Sequence, residues 1–164
     1  MIEKTFPITQ TLLIDGLAAT QSLLDLLHSE AESLARKTDP RLLTSIADRK
    51  KEVVSKIEQF AKQLGQVLAT EKLLVNHDGI DYYLTKAQGA GINIGDARAH
   101  WANITALSKK CRTLNEQNGA CIELLSRHTQ RALQILKGKS LAAATYGPDG
   151  VTRNEFFSNS LISV

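Results

Sequence analysis

The sequence predicts an all-α protein, an elongated antiparallel bundle or coiled coil of three long helices followed by a flexible C-terminal tail. Three observations carry that expectation. Apolar residues recur at alternating steps of three and four along most of the 164-residue chain, the period of a helix face packed on another helix. Aromatic residues make up only 5% while Leu and Ala are prominent in the 43% hydrophobic fraction, a composition of helices rather than sheets. Turn-forming residues concentrate around Asp39-Pro40, between Asn76 and Gly95, and after Gly138, which leaves long segments free to be helical.

The first helix is expected from about residue 8 to 37, with Pro7 in its first turn and Thr5 or its neighbour as cap. Leu13, Leu17, Leu24, Leu27, Ala31 and Leu34 form its apolar stripe, widened by Leu12, Ile14 and Leu26. Pro40 disfavours helical geometry at Asp39, so Lys37-Thr38-Asp39-Pro40 is a tight break and Asp39 caps the next helix. So short a connection folds the second helix back antiparallel. That helix is expected over residues 40–75, on Leu43, Ile46, Val53, Ile57, Phe60, Leu64, Val67 and Leu74. Lys50 falls in the same row, where its stem can pack while the ammonium reaches water. Between His77-Asp78-Gly79 and Gly89-Ala90-Gly91 there is room for a short extra helix over Ile80–Leu84.

The third long helix is expected over residues 96–138, capped by Asp96 and stopped by Gly138, roughly 65 Å long at 1.5 Å per residue. Its seam runs through Trp101, Ile104, Ser108, Cys111, Asn115, Asn118, Ile122, Leu125, Thr129, Ala132 and Leu136. Asn118-Gly119 has the form of a hairpin turn, but the apolar rhythm stays in phase across it, which favours a continuous helix. Asn115 and Asn118 on a packing face lose water and need partners, and such amides fix register between helices. Residues 1–138 thus form one helical domain and residues 139–164 a tail. The tail holds a turn at Tyr146-Gly147-Pro148-Asp149-Gly150, then Phe156, Phe157 and Leu161 among Ser and Asn. An apolar segment too short to build a core is a candidate for folding on a partner.

Most function classes find no support. The net charge of +3 comes from 20 basic and 17 acidic residues dispersed along the chain. The clusters Lys109-Lys110-Arg112 and Arg49-Lys50-Lys51 lack interleaved aromatics, so they read as solvated helix faces rather than a nucleic-acid site. Carboxylates such as Glu30 and Glu32 read as solvated charges. No signal-peptide pattern and no apolar run of about 18 residues is present, so no membrane insertion is expected. Cys111 and Cys121 lie too far apart on one helix to bridge, which points to reduced thiols and a cytoplasmic protein. No His/Cys spacing suggests a metal, no Gly-rich loop a cofactor, and no constellation an enzyme. His128, beside Arg127 and Arg131, leaves a histidine phosphotransfer domain as one alternative. A coiled-coil scaffold that closes a homo-oligomer is the other.

The order of the pieces resembles the FlgN family of flagellar type III export chaperones. The resemblance rests on Trp101-Ala102-Asn103-Ile104-Thr105, Leu114-Asn115-Glu116-Gln117-Asn118-Gly119, Ala132-Leu133-Gln134-Ile135-Leu136 and Tyr146-Gly147-Pro148-Asp149-Gly150. It implies a cytoplasmic chaperone that holds the C-terminal segments of hook–filament junction proteins, of the FlgK and FlgL type, unassembled and brings them to the export gate. The family places substrate binding toward the C-terminal part. That maps onto Leu125, Leu133, Leu136, Phe156, Phe157 and Leu161, with Tyr146 as a candidate for docking on the gate.

Overall fold

The computed structural model describes residues 1–36 and 39–137. Four helices carry almost all of them: α1 (Ile2–Ala35), α2 (Pro40–Thr70), α3 (His77–Gly89) and α4 (Gly95–Leu136). No strand occurs among the described residues. The chain divides into two units, Met1–Cys121 and Ile122–Val164, and the helical bundle belongs to the first.

The expected three long helices are therefore joined by a shorter fourth. Asn76 caps α3, its side chain accepting from Gly79 N–H at 2.8 Å. Ile80, Tyr83, Leu84 and Ala87, spaced three, four and seven apart, bury one face of it. That stripe is the ordinary signature of an amphipathic helix. The short helix expected over Ile80–Leu84 is thus present and extends further at both ends.

Two boundaries also differ from expectation, each for a visible reason. Helix α1 begins at Ile2, so Pro7 lies inside it rather than in its first turn. Proline there removes one hydrogen bond to Glu3, and burial of Ile2 and Phe6 on either side of that carbonyl's turn offsets the loss. Helix α2 stops at Thr70 because Lys72 adopts the left-handed conformation, φ 59°. Leu73 N–H then reaches Leu68 O at 2.9 Å and Lys72 N–H reaches Ala69 O at 3.0 Å, the paired bonds of a Schellman ending. Leu74 and Val75 are consequently outside the helix and exposed. Gly91, φ 80°, ends α3 in the same way, with Ile92 bonded to Ala87 and Gly91 to Gln88. Asp39 does cap α2, accepting from Arg41 N–H at 2.9 Å. Asp96 does not cap α4; Asn93 Oδ1 takes Gly95 N–H at 3.0 Å, and Asp96 sits in the first turn. A negative charge there still favours the helix dipole.

Helix α2 runs antiparallel to α1, with Glu71 beside Thr5, Phe60 beside Gly16 and Lys50 beside Glu30. Helix α4 runs parallel to α1, with Cys111 against Thr20 and Asn118 against Leu27. Phe60 lies so close to the Gly16 backbone that a Cβ there would stand 2.7 Å from its ring. Glycine thus lets α1 and α2 approach. The core is thickest where α3 caps the bundle: Phe6, Leu13, Leu64, Leu68, Tyr83 and Leu84 meet there. Toward the other end it thins to Leu24, Leu27 and Cys111.

A chain of polar contacts ties α3 to the hairpin. Tyr83, fully buried, donates from Oη to Thr5 Oγ1 at 3.0 Å and lies 3.1 Å from Thr9 Oγ1. Thr5 Oγ1 donates to Glu71 Oε1 at 2.9 Å, and Lys86 Nζ donates to Glu71 Oε2 at 3.0 Å. The Lys86 hydrogen bond holds the Glu71 carboxyl below its ordinary value of 4.5, outweighing the opposing effect of burial, with Thr5 adding to the depression. A depressed carboxylate stabilises the fold above its unfolded value and loses that contribution as pH falls through the folded one. Glu71→Gln should therefore be less stable than wild type at neutral pH, with the gap closing as pH drops below 4.5; thermal melts across that range measure it. A second melt tests the helix ending: Lys72→Gly removes a left-handed lysine and should raise stability by about 1 kcal/mol.

Candidate partner-binding surface

The seam of α4 behaves differently along its length. Ile104, Cys111 and Asn118 are buried, and Trp101 is half-buried. Ser108 and Asn115, counted on the same face by spacing, are exposed. The helix passes through Asn118-Gly119 without a turn. From Ile122 to Leu136 every residue is exposed.

Asn118 sits in the polar junction of three helices. Its Nδ2 donates to Leu27 O and to Glu30 Oε2, both at 2.9 Å. Glu30 is buried on α1, and Lys50 Nζ from α2 donates to its two oxygens at 3.0 and 2.8 Å. Lys50 also donates to Asn115 Oδ1 at 3.3 Å. Two expectations are corrected here. Glu30 is not a solvated charge, and Lys50 turns its ammonium onto Glu30 instead of reaching for water. The three–four rhythm placed Lys50 and Asn118 on packing faces, and Glu30, four residues after Leu26 and four before Leu34, falls on the buried side of α1 by the same count. Complementarity was a second signal, since a cation and an amide in neighbouring seams require an acceptor between them.

Asn118→Leu is expected to lower stability by roughly 1–3 kcal/mol, because a buried carboxylate oxygen loses a donor and leucine offers none. Chemical denaturation measures it, and Lys50→Met, which strands the Glu30 charge, should cost more.

The cysteines Cys111 and Cys121 are free. Burial pushes the Cys111 thiol up, with nearby Asp25 acting in the same direction, so this sulfur is a packing group rather than a nucleophile. Its Sγ–H points to Thr20 O at 3.7 Å. No group of three potential metal ligands occurs among the described residues. His128 is exposed on α4, while neighbouring Arg127 is paired with Glu123 at 2.8 Å. His77 packs against Trp101 with ring centroids 5.2 Å apart, far along the chain from His128.

Of the residues expected to bind a partner, Leu125, Leu133 and Leu136 are exposed by 38%, 48% and 82%. Tyr146, Phe156, Phe157 and Leu161 lie outside the described residues, as do the expected stop at Gly138 and the tail it begins. Ile122, exposed by 46%, joins the three leucines on one stripe at about 100° per residue. Leu124 and Ile135 are exposed on another side of the same segment. The exposed aliphatic side chains of this segment are thus grouped by face rather than scattered.

The family model described as FlgN protein matches residues 1–154. No curated protein and no solved structure matches the chain.

Proposed function

Because the chain belongs to the FlgN family, a family of flagellar export chaperones, we propose that it binds the C-terminal helical segments of hook–filament junction proteins. By this reading it keeps FlgK- and FlgL-type clients from assembling early and hands them to the type III export gate from the cytoplasm. The observation that supports it is the apolar stripe Ile122, Leu125, Leu133 and Leu136, uncovered over four turns of α4. A client helix that polymerises through its own apolar face can lay that face on such a stripe. Contact is extended in this proposal by Phe156, Phe157 and Leu161 of the tail, which order on binding and so temper the affinity. Tyr146 serves docking on the gate.

Asn118, with Asn115 at the edge of its junction, is assigned the register of α4 against α1 and α2. The bundle then acts as a rigid support, and the chemistry of the protein is binding alone. No described helix is long and apolar enough to cross a membrane, which fits a client handed over at a membrane-bound gate by a carrier that does not itself insert.

Co-purification with the C-terminal fragment of a junction protein tests the assignment. Leu125→Asp with Leu133→Asp should weaken the complex at least about tenfold, since each places a charge in a desolvated contact. Removing Val151–Val164 should weaken it too, while circular dichroism shows the helices intact. Full affinity in both variants would place the client elsewhere.

A further inference from the structure

A second uncovered surface runs between α1 and α4 within the bundle. On the α1 bank it is lined by Ile14, Leu17, Ala18 and Gln21, then Leu24 and His28. The α4 bank supplies His100, Asn103, Ala106 and Leu107, continuing through Lys110 to Leu114 and Gln117. Its two open sections measure about 520 and 370 Å³ and share Lys110. From Ile14 to His28 the groove follows α1 for roughly 21 Å, four helical turns.

Shape and charge together select the occupant. Both banks advance by threes and fours in parallel, so the row of holes they form matches the knobs of a third helix. The groove is shallow and open; the small side chains of Ala18 and Ala106 leave its banks low, and Ile14 is half-exposed beside them. Along the α4 bank Lys109 and Lys110 stand exposed, and neither is in an ion pair. No acidic residue lines either section; Asp25, near the α1 bank, is already engaged by Gln21 at 3.0 Å. The opposite groove, between α1 and α2, carries Asp15 and Lys56 together and so has no single sign.

We infer that the α1–α4 groove is a docking site for an amphipathic helix of a partner protein whose apolar face is bordered by acidic side chains. The apolar rows bury its face, and Lys109 and Lys110 meet its carboxylates and set its orientation. The end of α4 in a second copy of this chain is a poor occupant, because Arg127, Arg131 and Lys137 would face those lysines.

The test uses the full chain and a labelled three-heptad peptide with Leu at its a and d positions and Glu at e and g, beside a twin with Lys in place of Glu. Fluorescence anisotropy should show the Glu peptide binding about tenfold more tightly than the Lys twin. Lys109→Glu with Lys110→Glu should reverse that order, and Ala106→Trp should weaken the Glu peptide by filling the groove. Lys51→Glu, at an exposed lysine of α2 that lines neither section, should leave its affinity within about twofold. Equal binding of the two peptides, no binding of either, or a preference untouched by the lysine reversals would overturn the inference. So would a loss of Glu-peptide binding in Lys51→Glu as large as in the Lys109/Lys110 variant, or sedimentation showing self-association that Ala106→Trp abolishes, which would give the groove to a second copy. The exposed lysine variants keep the test valid if Ala106→Trp fails to fold.

Discussion

The carboxylate of Glu30 is the constraint around which the long helices are arranged. It is buried on α1 with a cation from α2 on it and an amide from α4 completing its shell. A buried charge of this kind contributes little net stability, because removing both ions from water offsets most of their attraction. Its donors come from fixed positions on two other helices. Sliding α4 so that Ile122 took the place of Asn118 would bring an apolar side chain to Glu30 Oε2 and leave the Asn118 amide without its acceptor. Leucine seams tolerate such shifts far better, since one leucine fills much the same hole as the next. The thin apolar core of Leu24, Leu27 and Cys111 next to this junction could not enforce alignment alone.

At the other end the division of labour is reversed. There the apolar core is broad and Tyr83, Leu84 and Ala87 of α3 are wholly buried in it, so packing supplies the stability and the Tyr83–Thr5–Glu71–Lys86 chain satisfies the polar atoms that α3 carries inside. The left-handed Lys72 turns the backbone out of α2 directly after Glu71, and the chain that follows returns as α3 to bring Lys86 onto that carboxylate. Strain at one residue is thereby exchanged for a closed polar chain among three helices.

Long helices were legible in the sequence because a buried face repeats every few residues and many positions vote together. Asp39-Pro40 was legible for a different reason, since proline and its capping neighbour act locally. The misread features all depend on contacts distant in sequence. Pro7 stays within α1 only because Ile2 and Phe6 find a core made by other helices. Lys50 becomes a buried partner only because Glu30 arrives opposite it. Helix α3 was legible at Ile80–Leu84, and its full extent, His77–Gly89, depends in addition on the core that Tyr83, Leu84 and Ala87 enter. At the candidate surface, the rhythm that correctly places Leu125, Leu133 and Leu136 on one face says nothing of whether that face is covered. Periodicity identifies a packing surface; exposure identifies one whose partner lies outside the segment.

An uncovered aliphatic stripe invites self-association, and the end of α4 carries features that oppose it. Thr129 and Ala132 interrupt the row, which lowers the apolar area available to a second copy. Arg127, Arg131 and Lys137 outnumber Glu123 over the same turns, so two such segments laid together repel. Both this segment and the α1–α4 groove combine apolar side chains with an excess of positive charge. Binding whose selectivity comes from long-range charge and whose contact comes from modest apolar area forms quickly and lets go readily.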